Sequence, residues 1–371
     1  MMTIGVPKEI KTEEYRVGMT PAGVEQLAKR GHQTIVQVGA GIGSGFTDEE
    51  YRNAGAILTD DVETIYQTSD MIVKVKEPLP EEYPLLRENQ VVFTFLHLAP
   101  NRELTNVLME KKVIAIGYET VEEKGRLPLL EPMSEIAGRM APIMGGYFLS
   151  RPQGGEGVLL GGASGVLPAN VLVLGGGMVG MNAARTAAGL GSNVVVMDIK
   201  PQTLRFLEET KPPNVSTMIS SPYNIQTLLP SVDLVVGAVL IAGARTPSLI
   251  TRDMLHFMKK GSLIVDVSID QGGCVETSRP TTHENPVFAV EGIMHYCVTN
   301  MPGAYPRTST LALTNATFPF VVELADQGWK EACRKHKALA KGVNTAEGHI
   351  TCKAVAEAHG FSYLSINNLL E

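Results

Sequence analysis

Apolar runs and helical stripes alternate along most of this chain. Ile4-Gly-Val6, Thr34 to Val38, Met71 to Val75, Val91 to Phe95 and Val113 to Ile116 read as short buried strands. Between them lie segments with apolar residues at helical spacing, such as Val24, Leu27 and Ala28 after Thr20-Pro21, closed by Gly31. Further stretches over Val62 to Thr68 and about Glu103 to Lys111 read as helices. Strands alternating with helices predict a parallel sheet with both faces covered. The pattern changes at Pro132. Ser134 reads as the cap of a long helix carrying Ile136, Met140, Ile143 and Tyr147, and a loose glycine-rich stretch runs from Gly154 to Gly165. A second strand–helix series follows, with strands near 171–174, 194–198, 216–219, 233–237 and 263–267, then short β-runs at Val287–Ala289 and His295–Val298. Thr308 to Gln327 reads as one long helix, and the rest of the chain as helix or loop.

The second series opens on the most specific signal. Val171-Leu-Val-Leu-Gly-Gly-Gly-Met-Val-Gly180 places Gly175, Gly177 and Gly180 at G-x-G-x-x-G spacing between a strand and a helix, and Val194-Val-Val-Met-Asp198 closes the next strand on an acid. Each part has a physical use in a dinucleotide site. Gly175 permits the tight turn, Gly177 lets a pyrophosphate approach the backbone, and Gly180 lets helix and strand pack closely. The helix N-terminus offers unpaired N–H groups and a positive dipole end to phosphates. Asp198 would accept from ribose hydroxyls and repel a 2′-phosphate. A second glycine-rich loop, Gly39 to Gly45, reads as a decoy, because Asp48-Glu-Glu50 follows and would repel phosphate.

The first series has no such fingerprint but collects ionisable groups at strand ends. Lys76, His97 and Glu119 each fall at or past the end of a predicted strand, and Arg16 lies in the loop after the first. Ligands of open α/β sheets bind at that edge. Arginine's planar fork suits a carboxylate, lysine an oxygen, and histidine proton transfer near neutral pH. Asp270 follows the apolar run Leu263 to Ile269, where a carboxylate is either paired or poised near reacting atoms. Asp266, inside that run, reads as structural. His295, Cys297 and Cys274 read as packed rather than reactive, and Asn300 as a partner for a nicotinamide amide.

Composition narrows the classes. The chain has 371 residues, which favours two domains over one core. A net charge of −7 supplies no field for nucleic acid. No apolar run approaches the roughly 20 residues of a membrane span, and the start of the chain lacks the layout of a signal peptide, so a cytoplasmic protein is expected. The four cysteines have no C-x-x-C spacing; reduced thiols are expected, and no metal site.

Several blocks extend beyond these separate signals. Gly5-Val-Pro-Lys-Glu9, Tyr15-Arg16-Val17, Val73-Lys-Val-Lys-Glu-Pro78, Phe93-Thr-Phe-Leu-His-Leu98, Pro132-Met-Ser-Glu135 and Val267-Ser-Ile-Asp-Gln-Gly-Gly273 resemble the bacterial L-alanine dehydrogenase family, which shares its fold with the NAD-binding domain of transhydrogenase. Ser309-Thr-Leu-Ala-Leu-Thr-Asn-Ala316 and Glu323-Leu-Ala-Asp-Gln-Gly-Trp329 carry the likeness to the far end.

The resemblance implies NAD-dependent oxidative deamination of L-alanine to pyruvate and ammonium, and the reverse reductive amination. It implies an α/β fold of two doubly wound, parallel-sheet, Rossmann-like domains separated by a cleft. A substrate domain of residues 1–128 plus 306–371 would surround an inserted NAD-binding domain of residues 129–305. It implies that Arg16 and Lys76 bind substrate and that His97 and Asp270 are catalytic. The NAD contacts implied, beside the three glycines, are Ser134, Met178, Val179, Asp198, Ser220, Val239, Leu240, Val267, Ser268, Ile269, Asp270, Arg279, Val298, Thr299, Asn300 and Met301. Thr203 belongs with them, standing where some relatives carry lysine. Family members form homohexamers, so a homo-oligomer is expected. Other readings compete: an NAD-binding subunit of a proton-translocating transhydrogenase, an NAD-sensing module without catalysis and, more distantly, the second domain of a saccharopine-forming enzyme. The joint presence of Arg16, Lys76, His97 and Asp270, with no spanning segment, favours the dehydrogenase.

Overall fold

A computed structural model describes residues 1–239 and 246–371. The chain divides into two compact units, Met1–Met133 with Tyr305–Glu371, and Ser134–Ala304. The crossings expected after residues 128 and 305 thus fall after 133 and 304.

The first unit contains β1 (Thr3–Val6), β2 (Gln33–Gln37), β3 (Ile57–Thr59), β4 (Met71–Val73), β5 (Val91–Thr94) and β6 (Ile114–Gly117), and from the distal part of the chain β14 (Val343–Ala346) and β15 (His349–Ile350). The second contains β7 (Asn170–Leu174), β8 (Asn193–Asp198), β9 (Val215–Ile219), β10 (Leu234–Gly237), β11 (Leu263–Asp266), β12 (Val287–Val290) and β13 (Ile293–Tyr296). The two sheets run in the orders β15-β14-β6-β5-β4-β1-β2-β3 and β12-β13-β11-β10-β7-β8-β9. In each, six parallel strands repeat one plan: the second and third strands go to one side of the first, the later ones to the other. That reversal creates a crevice beyond the carboxyl ends of the first and fourth strands, the usual ligand position in such sheets.

The central strands β4, β5, β6, β10 and β11 are buried at every position. Helices cover both faces, which is why these strands read as unbroken apolar runs. Local signals hold at several boundaries. Thr20 Oγ1 accepts from Gly23 N ahead of the Pro21–Lys29 helix, and Pro306–Gln327 forms the expected long helix.

Other expectations need correcting. Ser134 does not cap its helix, which begins at Glu131 and runs to Phe148. Of the stripe read in sequence, Ile136 and Met140 are buried while Ile143 and Tyr147 are exposed; Met133, Ala137, Ala141 and Phe148 complete the buried face, so the stripe holds in the first half of the helix and fails in the second. The tail is not only helix and loop. β14 pairs antiparallel with β6, and β15 with β14, so the first sheet is mixed at that edge. β12 plays the same antiparallel part in the second. β3 was too short to register as an apolar run. β11 ends at Asp266 and a 3-10 turn covers Val267–Gln271, so Asp270 sits in the turn, not on the strand. The four cysteines are unpaired; Cys352 is half-buried and the other three are buried.

Candidate active site and dinucleotide cradle

In the first unit the loop after β1 carries Arg16 and the segment after β4 carries Lys76, so both emerge at the reversal of strand order. Gly18 makes the approach possible: a Cβ there would lie 2.6 Å from Val73 O at the end of β4. His97 follows β5 and Glu119 follows β6.

Arg16 is fully buried. Its Nε and Nη2 donate to the two oxygens of Glu14 at 2.6 and 2.5 Å, and its Nη1 lies 3.0 Å from Met133 Sδ. A buried bidentate pair of this kind fixes the guanidinium plane, and breaking one side costs about 3–5 kcal/mol. Lys76 is half-buried. Burial pushes its pKa down, and the nearby Arg16 charge adds to the fall, while Glu14 and Glu77 oppose it. Arg16 and Lys76 therefore share one electrostatic neighbourhood.

His97 holds a left-handed backbone, φ +48°. Such a conformation costs a non-glycine residue on the order of 1–3 kcal/mol and needs over-determination by its surroundings. Glu119 supplies it, accepting from His97 N at 2.7 Å and from Leu96 N at 3.1 Å. The imidazole stacks on Phe95, with ring centroids 5.9 Å apart. Its Nδ1 lies 3.3 Å from Glu77 Oε2, and the other Glu77 oxygen pairs with Lys11. Burial pushes the Glu77 carboxyl up, but the hydrogen bonds from His97 and Lys11 outweigh it and hold the group at about 2.

Behind these groups lies a cluster that sequence reasoning missed. Lys74 is 1% exposed and pairs with Glu82 at 2.5 Å and Glu9 at 3.6 Å. Glu9 also accepts from Val75 N at 2.6 Å and Lys76 N at 3.3 Å. Glu82 accepts from Tyr66 OH and Leu79 N. These bonds tie down the backbone on either side of Lys76 and Glu77. Lys74 was legible only as a charge inside an apolar run; nothing in the spacing names its partners.

In the second unit the fingerprint loop follows β7, at the corresponding reversal. A Cβ on Gly175 would lie 2.6 Å from Ala238 O, beyond β10, and one on Gly180 only 1.8 Å from Gly175 O. A Cβ on Gly177 meets nothing within 4 Å. Gly177 begins the Met178–Gly189 helix without a side-chain cap, and no acid occupies its first turn. The helix N-terminus thus starts at the fingerprint glycine that, of the three, has open space before it, which is the cradle an anionic pyrophosphate requires. Asp198 ends β8; its oxygens accept from Gly176 N at 2.8 Å and Lys200 N at 2.7 Å. A carboxylate has about four acceptor sites, so the two N–H bonds orient Asp198 and leave acceptor capacity for ribose hydroxyls. The residues present fit a dinucleotide.

The remaining expected contacts follow the same edge. Ser220 N donates to Asp198 O, and the Thr203 methyl packs under Gly176. Met178 and Val179 open the fingerprint helix. Val239 O accepts from Ser268 Oγ at 2.8 Å, joining the ends of β10 and β11. Val267, Ser268, Ile269 and Asp270 form the 3-10 turn, with Asp270 exposed. Asp266 is buried and accepts from Ser268 N, Cys274 N and Ser278 Oγ, a structural role. Val298 bridges Thr281, Thr299 N donates to Thr281 O, and Asn300, at φ +59°, precedes the turn that buries Met301. His295 is buried between Thr277 Oγ1 and Ile293 O.

Two residues lie off this edge. Ser134 is one turn before Gly138, whose Cβ position is 2.3 Å from Val179 O, so it neighbours the start of the fingerprint helix. Arg279 lies over the Phe288 ring, 4.3 Å from its centroid. Leu240 lies outside the described residues. No helix among the described residues is long and apolar enough to cross a membrane.

Residues 5–137 match the N-terminal domain of the alanine dehydrogenase/PNT family, and residues 141–353 its C-terminal domain. An alanine dehydrogenase of Bacillus subtilis is 50% identical over 371 residues, covering 100% of this chain and 98% of that protein. One of Methanococcus maripaludis is 50% identical and covers 98% of each. A solved L-alanine dehydrogenase superposes with a TM-score of 0.94 at 48% identity, covering 97% of this chain and 99% of that one. A transhydrogenase of Sinorhizobium meliloti gives a TM-score of 0.80 over 95% of this chain and 99% of that one; at 24% identity it shows a shared fold alone. The chain belongs to the alanine dehydrogenase/PNT family.

Proposed function

We propose that this protein is an NAD-dependent L-alanine dehydrogenase, interconverting L-alanine with pyruvate and ammonium. The observation that carries the reading is the gathering of Arg16 and Lys76, with His97 reached through Glu77, at the carboxyl edge of the first sheet. Full-length identity near 50% to alanine dehydrogenases supports it. The transhydrogenase-subunit reading rests on a shared fold alone, and the sensor reading leaves the charged edge without a use.

In this reading Arg16 binds the substrate carboxylate. The Met133 sulfur beside its Nη1 is a weak acceptor that a carboxylate oxygen replaces at a gain. Lys76, destabilised as a cation by burial and by Arg16, gains a countercharge when an oxygen develops on the substrate. His97 and Asp270 carry the protons exchanged as water adds to the imine carbon and as ammonium leaves. The glycine loop, Asp198 and the strand-end residues named above hold NAD, which when bound accepts the hydride from the alanine Cα. Thr203, without a charge, leaves the adenosine side to Asp198. The family resemblance supports a cytoplasmic homo-oligomer, a hexamer being the form expected.

The deciding experiment is NADH oxidation with pyruvate, with and without ammonium. Turnover that requires both is the expected result. Turnover with pyruvate alone would identify a hydroxy-acid dehydrogenase instead.

A further inference from the structure

We propose that Glu77 is the positioning residue for His97: it takes the imidazole Nδ1–H and leaves Nε2 to exchange the proton with substrate. The proposal rests on the reading of His97 as a proton carrier and extends it by naming what sets the tautomer.

Two independent holds act on His97, and they do different things. Among the described residues Glu119 accepts from backbone, at Leu96 N and His97 N, so it fixes the chain and not the ring. The ring itself is 47% exposed. Stacking on Phe95 fixes its plane but leaves undecided which nitrogen carries the proton. Glu77 Oε2, 3.3 Å from Nδ1, decides that. An ionised carboxylate only accepts, so the nitrogen facing it must carry hydrogen and the other presents a lone pair.

Glu77 is well placed for the task because it is itself held. Lys11 occupies its second oxygen, and its side chain is 11% exposed. Its segment is anchored on one side by Glu9 through Val75 N and Lys76 N, and on the other by Glu82 through Leu79 N. The low carboxyl pKa, about 2, keeps it ionised throughout the range in which a histidine titrates. The buried Lys74 pair thus supports Lys76 and Glu77 together, one for the substrate and one for the imidazole.

The test uses the full-length protein labelled with 15N-histidine, above the pH at which the ring is charged. His97 is assigned by the signal lost in His97→Ala. The wild type is expected to show Nδ1 protonated and Nε2 bare. In Glu77→Leu the Nε2–H form should appear and kcat should fall about 100-fold, with NADH affinity held to within about twofold. Glu77→Gln, which can still accept through its amide oxygen, should recover part of the loss. An Nε2–H tautomer in the wild type, a reading that needs no variant to fold, would overturn the proposal. So would a Glu77→Leu enzyme with wild-type kcat. Should His97→Ala retain its kcat, the proton-carrier reading falls and the positioning role with it; an inactive His97→Ala with an Nε2–H wild type removes the role of Glu77 alone.

Discussion

The six parallel strands of the two sheets share an order, and each sheet brings a glycine of the loop after its first strand against a carbonyl at or just past the end of its fourth. Gly18 meets Val73 O and Gly175 meets Ala238 O, each at 2.6 Å from a would-be Cβ. What they place there is opposite in kind. The first unit fills its edge with charged side chains, each neutralised or oriented by another: Arg16 by Glu14, Lys74 by Glu9 and Glu82, His97 by Glu77 and Glu119. The second offers mainly backbone, in uncapped helix N–H groups and glycines without Cβ atoms, with the acids Asp198 and Asp270 beside them. A small amino acid must be read by its few functional groups, which demands placed charges. A dinucleotide presents a pyrophosphate, which backbone N–H groups cradle without side chains. In the proposed reading, one architecture serves two recognition problems by exchanging side-chain chemistry for its absence.

This contrast can be broken at several points. The largest effect belongs to Gly180→Ala, whose new methyl would lie 1.8 Å from the Gly175 carbonyl oxygen and 3.2 Å from the Val173 side chain. A loss of at least 1–3 kcal/mol of stability, roughly, together with NADH binding, should appear in thermal melts and titration. Gly177→Ala separates the two consequences: an unchanged melting temperature but about tenfold weaker NADH binding, because its methyl points into open space that phosphate needs. Equal stability of the two variants would mean that the fingerprint glycines are not divided between packing and ligand.

On the charged side, Arg16→Lys keeps the charge and loses the fork. Pyruvate KM should rise roughly 30- to 100-fold, about 2–3 kcal/mol, with NADH binding unaltered. A KM unchanged in that variant removes Arg16 from carboxylate binding. Asp198→Ala should narrow the preference for NADH over NADPH by about tenfold, the scale of one charge-assisted bond. Parallel kcat/KM values with the two cofactors measure it, and an unaltered ratio assigns the discrimination elsewhere.

The smallest effect is a pH dependence in the second unit, away from either site. Burial, and then the neighbouring Asp233 charge, raise the Glu156 carboxyl from 4.5 to about 7. Between those values the folded chain binds more protons than the unfolded chain, so stability falls as pH rises through the window. Glu156→Gln should leave stability near pH 5 little changed and raise the melting temperature at pH 8 by about 2 °C. Equal melting temperatures at pH 8 would refute the raised value.

The elements legible in sequence were those whose signal is local. Val171 to Gly180 specifies strand, turn and helix within ten residues, because glycine spacing answers steric demands that arise inside that span. Buried central strands announce themselves because both faces are apolar. Arg16, Lys76 and His97 were singled out by counting from strand ends, since a parallel sheet puts every such end on one edge. Tertiary structure alone decided the rest. Only folding brings Glu77 to His97, Glu9 to Lys74, or the distal β14 to the edge beside β6, since those partners are set by packing across tens to hundreds of residues. The helix from Glu131 likewise takes Ser134 into its first turns and turns Ile143 outward, because the face that buries is chosen by what it packs against. Sequence periodicity names what can be buried and where charge emerges; which charge meets which is fixed by desolvation in the folded chain, where each buried ionised group requires a partner.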